Sequence, residues 1–492
     1  MLVLDRSPTV APNVGDTIAV AVTPESLERA IDRLEDPIAT AIEHARFDGK
    51  PGKTFVYTRA VEGGLVQVAL VGVDGTRPSL EELRVLAHRA GSAACTWGSK
   101  RLVLDVSHLD VQAHGAAAGA RLAEGAILST YAYRTYLSEE RARRPDLGHV
   151  TVCGPEIVAE GFEHGRIVAD GIARARDLGN GPAELVTPDY LADTARDIAK
   201  AHADAGVEVE ILDREACAAL GMGLFLAVAK GSDVPPRFIH LSYRPSGAKR
   251  RVVLVGKGVT FDSGGYSLKP TDAMLDMKMD MCGAAAVIGA FEAIVRLGLP
   301  VEVHALVAAT ENMIGGHAYR LGDVYRGLDG TTVEINNTDA EGRLTLADAI
   351  AYGRRLSPDA IFDLATLTGA CMVALGPRIA GLMTPDDGLA DQIRGAADVA
   401  GERIWRLPLP KDLEDQLDSK IADCKNTGER WGGALTAGLF LARFAKDTPW
   451  AHLDIAGPAM ASKAWGAHKE GATGFGVATV VELVAAMGRK PV

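Results

Sequence analysis

RVVLVGKGVTFDSGGYSLKP occupies residues 251–270. Its opening run, Arg251 to Val255, is almost continuously apolar and predicts a strand buried on both faces. Gly256, Gly258, Gly264 and Gly265 follow, where bare backbone allows turns and close approach to a ligand. Further on, MKMDMCGAAAV (residues 277–287) leads into a predicted helix over Cys282 to Leu297. NTDAEGRL (residues 337–344) leads into another over Leu344 to Arg355. A strand, a glycine-rich turn and a helix in succession are the repeating unit of an α/β fold.

The chain outward from this stretch keeps the same alternation. Arg237–Tyr243, Val301–Ala309, Thr332–Asn336, Ala360–Ala365 and Ala451–Ile455 read as strands, and Ala434–Phe444 as a helix. These elements predict a mostly parallel central sheet covered by helices, with ligands beyond the C-terminal ends of the strands. Residues 1–165 read as a smaller N-terminal α/β domain. Its expected strands are Thr17–Val22, Thr54–Thr58, Gly64–Gly72 and Arg101–Asp105, and its expected helices Glu81–Ala94 and Ala116–Tyr136. Residues 166–185 form a connecting helix, stopped by Gly179-Asn180-Gly181-Pro182. Residues 186–492 form the catalytic domain, entered by a helix from Thr187-Pro188 to about Ala205.

With 492 residues, more than one core is expected. The formal net charge of −12 argues against a general nucleic-acid or membrane-surface binder, which needs excess Lys and Arg. No apolar run is long enough to predict a membrane span, and the N-terminus lacks the pattern of a signal peptide. Six cysteines without a C-x-x-C pair suit reduced thiols in a cytoplasmic protein. His44, His88, His108, His114, His149 and His164 are scattered, without metal-ligand pairing.

Chemistry concentrates on seven residues: Lys257, Asp262, Lys269, Asp280, Asp339, Glu341 and Arg343. Asp339 and Glu341 stand two apart, so an extended segment would point both carboxylates the same way. Asp280 precedes Gly283-Ala284-Ala285-Ala286 and is placed at a helix start. Four carboxylates converge only with a counter-charge, because like charges in one site repel. Divalent cations supply it, and hard oxygen ligands suit Mn, Mg or Zn. There is no H-E-x-x-H pattern. His452 reads as structural, Met274, Met279 and Met281 as packing, and Lys278 as a surface or packing lysine.

The octapeptide NTDAEGRL, together with VGKGVTFDSGG, LKP, MKMDMCGAAAV, TENM, ATLTGA, WGGALTA, WAHLDIAG and GATGFGV in that order, resembles the leucine aminopeptidase (cytosol aminopeptidase) family. The resemblance is dense over residues 170–480 and loose before them. It implies a metal-dependent aminopeptidase that releases Leu and other N-terminal residues from short peptides. Two divalent metal ions (Mn or Zn, with Mg as a third candidate) would be held by Lys257, Asp262, Asp280, Asp339 and Glu341. Lys269 and Arg343 would be the catalytic pair, with bicarbonate at Arg343 as the general base. Lys269, Met277, Thr366, Leu367 and Gly369 would meet the substrate. A homohexamer turning over peptides in the cytoplasm is implied too. As a metal ligand Lys257 must be neutral, which from an ordinary pKa near 10.4 costs roughly 4–5 kcal/mol at pH 7. Three positions depart from the family pattern: Tyr266 for an aliphatic residue, Leu321 for proline and Glu184 for asparagine. Two other readings use the same residues. A two-metal phosphoesterase would share the carboxylates. A structural or nucleic-acid-binding relative would have lost a ligand or catalytic residue, and none is lost.

Overall fold

The computed structural model describes residues 2–33, 38–143 and 145–489. It divides into two compact units: Met1–Asp170 with Val399–Gly401 and Ala464–Lys469, and the remainder of the chain.

The first unit is built on a six-stranded sheet. Its order is Val3–Ser7, His149–Cys153, Arg101–Asp105, Thr17–Val22, Gly64–Gly72, Thr54–Val61. All pairings are parallel except the hairpin formed by the last two strands. Strand residues alternate between two cores, as period-two geometry requires. Ala19, Ala21, Ala69, Val71, Leu102 and Leu104 face one cluster, which also holds Leu83, Leu86 and Leu122 of helices Leu80–Trp97 and Ala116–Ser129. Ile18, Val20, Val22, Val66, Val68 and Leu70 face the other. Ser79 and Glu82 close a capping box at the start of helix Leu80–Trp97. The second helix stops at Ser129, short of the expected Tyr136. There the Ser129 and Thr130 hydroxyls donate to the carbonyls of Ala126 and Ile127, and Lys469 Nζ takes the carbonyls of Ser129 and Tyr131, each at 2.8 Å.

The second unit carries an eight-stranded sheet. Its order is Ile404–Arg406, Ala380–Met383, Trp450–Asp454, Ala360–Ala365, Arg251–Asp262, Glu302–Asn312, Arg237–Tyr243, Val207–Leu212. The central four strands run parallel. Antiparallel pairs flank them on both sides. Helix Cys282–Arg296 is apolar nearly all round, and both it and helix Gly342–Arg354 are buried along most of their lengths. Thr187 caps helix Pro188–Ala201 through its side chain, with Pro188 in the first turn.

Three expectations need correction. The strand expected at Arg251–Val255 runs on to Asp262, because its parallel partner continues pairing as far as Asn312 opposite Asp262. Lys257 and Asp262 therefore stand in the strand, not after it. The strand expected at Thr332–Asn336 shortens to Thr332–Glu334. It belongs to a separate three-stranded sheet with Val324–Arg326 and Cys424–Lys425. Lastly, Asp339 and Glu341 do not share an extended segment. The Asn337 side chain accepts the Asp339 N–H at 2.8 Å and turns the chain, and Glu341 has helical backbone at the start of helix Gly342–Arg354.

Among the described residues no helix is long and apolar enough to cross a membrane. All six cysteines are free thiols.

The approach of helix Cys282–Arg296 to the sheet depends on Gly283. A Cβ there would sit 2.0 Å from the Leu364 carbonyl oxygen and 3.0 Å from the Lys257 nitrogen. Both are backbone atoms of central strands, which cannot swing away. Gly283→Ala is expected to destabilise this unit by about 1–3 kcal/mol through overpacking, read as a lowered midpoint in thermal unfolding. An unchanged midpoint would show that the helix shifts freely.

Candidate metal and catalytic site

Four local structures supply the charged side chains. Strand Arg251–Asp262 carries Lys257 and Asp262; the loop after it carries Lys269; the turn before helix Cys282–Arg296 carries Asp280; and the turn before helix Gly342–Arg354 carries Asp339 and Glu341. Lys257, Asp262, Asp280, Glu341 and Arg343 are buried. Gly342 makes room for this, since a Cβ there would meet Lys257 Cε at 2.5 Å.

Asp262, Asp280 and Glu341 each present an oxygen within 4.8 Å of the others'. Lys257 Nζ lies among them. It donates to Asp280 Oδ1 at 2.7 Å and to the Thr366 carbonyl at 3.0 Å, and stands 2.9 Å from Glu341 Oε1. Lys269 Nζ bridges Asp262 Oδ2 at 2.8 Å and Asp339 Oδ1 at 2.6 Å. Asp339 is the most exposed of the four acids, with a third of its side chain open to solvent. Thr366 Oγ1 donates to Asp280 Oδ1 at 2.8 Å.

These charges set one another's protonation. Burial pushes the Lys257 ammonium towards losing its proton, but Asp280, Glu341 and Asp262 outweigh it and hold the group well above the ordinary lysine range. Lys269 is raised in the same way, with burial overcome by Asp262 and Glu341. Burial, reinforced by Glu341, pushes the Asp262 carboxyl up to about 6 against both lysines. Burial brings the Arg343 guanidinium down to about 10, which leaves it cationic at neutral pH.

The donor set fits divalent cations. Asp280 Oδ2, Asp339 Oδ1 and Glu341 Oε2 are buried without an aligned hydrogen-bond donor. Lysine nitrogens approach the first two at 2.7 and 2.6 Å, but outside hydrogen-bond alignment. Buried carboxylate oxygens without donors are costly unless a cation takes them. Lys257 and Lys269 supply part of the positive charge that the acids require.

The other anticipated residues are dispersed. Arg343 Nη1 donates to the Asn426 carbonyl at 2.8 Å, while its Nε–H is buried without an acceptor. The Leu367 N–H donates to Asp454 Oδ1 at 3.3 Å. Met277 is half-buried on the turn Met277–Met279. Gly369 is exposed at the start of helix Gly369–Leu375, with open space where a Cβ would be. Lys278 Nζ donates to the Asn180 carbonyl at 2.9 Å and holds a helix end. His452 is fully buried in the sheet, and its Nδ1 meets Asp363 Oδ1 at 2.5 Å. Burial disfavours its protonation, but Asp363 reverses that and raises its pKa. Tyr266 OH donates to the Gly315 carbonyl at 3.0 Å and ties the Lys269 loop to its neighbour.

Three supporting residues carried no role in the sequence reading. Asn312 Nδ2 donates to Asp262 Oδ1 at 2.7 Å and to the Thr338 carbonyl at 2.9 Å. Thr338 Oγ1 donates to the Gly264 carbonyl and accepts from the Ser267 N–H, both at 2.7 Å. Asn426 Oδ1 accepts the N–H groups of Asn336 and Asn337 at 3.0 and 3.3 Å. Asn312 and Thr338 tie the end of the Asp262 strand and the loop after it to the Asp339 turn, and Asn426 holds the backbone just before that turn. The signal for Asn312 was a buried amide at the end of an apolar strand; Asn426 has no local signal, because its partners lie some ninety residues away.

Comparison with known proteins identifies the family. Residues 173–481 match the model of the cytosol aminopeptidase family's catalytic domain, and residues 20–140 that of its N-terminal domain. A probable cytosol aminopeptidase of Synechococcus sp. (strain CC9605) is 46% identical over 484 residues, covering 96% of this chain and 97% of the relative. One from Rippkaea orientalis is 43% identical over 479 residues, covering 96% of each. Among solved structures, a mutant of tomato leucine aminopeptidase superposes with a TM-score of 0.89 at 36% identity, over 99% of this chain and 97% of that one. The bottromycin maturation enzyme BotP, in complex with Mn, gives 0.86 at 37% identity, over 97% of this chain and all of that one. The chain belongs to the cytosol aminopeptidase family, and is a metal-dependent peptidase that removes N-terminal residues.

Proposed function

We propose that two divalent cations occupy this site, held by Lys257, Asp262, Asp280, Asp339 and Glu341, and that the enzyme releases Leu and similar residues from short peptides in the cytoplasm. The observation that carries the metal assignment is the trio of buried acids within 4.8 Å, with acceptor oxygens lacking aligned donors. Mn leads the candidate metals, since BotP is solved with it; Zn and Mg share its preference for carboxylate oxygens. When bound, such cations acidify a water and polarise the scissile carbonyl.

The chain's own residues do the rest. Lys269, the more exposed of the two lysines, keeps its proton and faces the negative charge that develops on the carbonyl oxygen. Arg343 offers its unsatisfied Nε–H to a small anion, and bicarbonate in that place accepts and returns a proton as general base. Thr366 fixes Asp280, while Leu367, Gly369 and Met277 are assigned to the substrate's backbone and side chain. The N-terminal unit serves assembly or access. A homohexamer is part of this reading, and exposed apolar side chains such as Val373, Trp405 and Trp431 support association.

Chelator-stripped protein is expected to lose hydrolysis of leucine anilide and to regain it with Mn or Zn, while N-acetyl-leucine anilide stays intact throughout. Hydrolysis that survives the chelator, or that accepts the blocked substrate, would overturn the assignment. Lys269→Met is expected to lower kcat about 10²–10³-fold, with Mn content per chain unchanged. A kcat near that of the parent would remove Lys269 from the reaction.

A further inference from the structure

Away from the acids, the first unit contains a second concave site. A groove of about 450 Å³ lies between helix Leu80–Trp97, the start of strand Thr54–Val61 and the segment Ala464–Lys469, all parts of that unit. His88, Ser92 and Thr96 recur every fourth residue and so line one face of the helix, with Arg89 beside them. Trp465, His468 and Lys469 complete the lining.

Two features define what would fit. The first is charge. Arg89, His88, His468 and Lys469 are lining residues, and no acidic side chain is among them. Arg89 is half-buried, hydrogen-bonded through Nη1 to the Gly52 carbonyl, and its Nε–H is buried without an acceptor. Burial lowers its pKa, and no carboxylate opposes the shift. Its charge is therefore solvated by a neutral carbonyl and, among the described residues, is not balanced by an acid. The second is shape. Trp465 and His468 pack with ring centroids 4.4 Å apart and planes tilted by 47°, which gives the groove an aromatic wall. Ser92 and Thr96 also line the groove, and its volume is at the small end of the range for ligand sites, about 300–1,000 Å³.

We propose that this groove binds a small planar organic anion, its ring against Trp465 and its charged group on Arg89. A half-exposed guanidinium such as that of Arg89 recognises carboxylate, sulfonate or phosphate oxygens by charge-assisted hydrogen bonds. The aromatic wall adds contact for a ring that an inorganic anion lacks.

The test is calorimetric titration of the metal-loaded, full-length protein with 2-naphthalenesulfonate, a ring-bearing anion that is a weak metal ligand. Sulfate and 2-naphthol serve as its two halves. The expected result is one saturable site per chain, with each half binding at least about tenfold more weakly. Arg89→Met is expected to weaken the sulfonate by about tenfold or more, without changing leucine anilide hydrolysis. Ser92→Trp, which fills the groove and keeps Arg89, is expected to abolish binding, so it decides the matter should Arg89→Met melt early. No sulfonate binding to the parent, binding no tighter than that of 2-naphthol, or binding unaffected in a folded variant would each overturn the proposal.

Discussion

Three carboxylates packed within 4.8 Å in a buried site cannot all stay ionised unless positive charge is packed with them. Here that charge comes from two lysines, one set inside the trio and one reaching across to Asp339. Much of the surrounding architecture follows from this need. The strand has to continue past Val255 to place Lys257 and Asp262, and a glycine at 342 clears the volume that the lysine fills. Helix Cys282–Arg296 has to press on the sheet to bring Asp280 within reach, which Gly283 permits. Asn312 and Thr338 then tie the Asp262 and Asp339 segments together, and Asn426 holds the backbone just before Asp339.

The same constraint ranks the basic residues. Lys257 is enclosed by acids and a carbonyl, has no free approach to substrate, and suits a ligand's position once its proton is lost. Lys269 is partly open and suits contact with the reacting group. Arg343 stands back from the trio, buried and still cationic at neutral pH, with its Nε–H left without an acceptor. Each basic residue thus has a role that its burial and partners make reasonable, and none duplicates another.

Much of this was legible in the sequence, for identifiable reasons. Apolar strands alternating with helices declared the α/β class, and the acids stood out because they interrupt apolar segments near glycines. The extent of the strand at Arg251 was not legible, because it depends on pairing with residues fifty positions away. The turn at Asp339 was missed because an Asn337 side chain, not backbone propensity, shapes it. The short strand at Thr332 looked like a sheet member because local pattern does not say which sheet a strand joins. Asn426 was invisible for the same reason: its value lies wholly in distant partners.

Asp280, Glu341 and Asp262 hold the Lys257 ammonium well above the ordinary lysine range, so a cation that takes this nitrogen as a ligand must displace its proton. The most direct measurement is therefore the number of protons released when chelator-stripped protein takes up Mn, obtained from titrations at pH 8 in buffers of different ionisation enthalpy. The account predicts release of about one proton from this lysine, with affinity rising as pH rises, and loss of that release in Lys257→Met. Metal uptake that releases no proton and is independent of pH would contradict it.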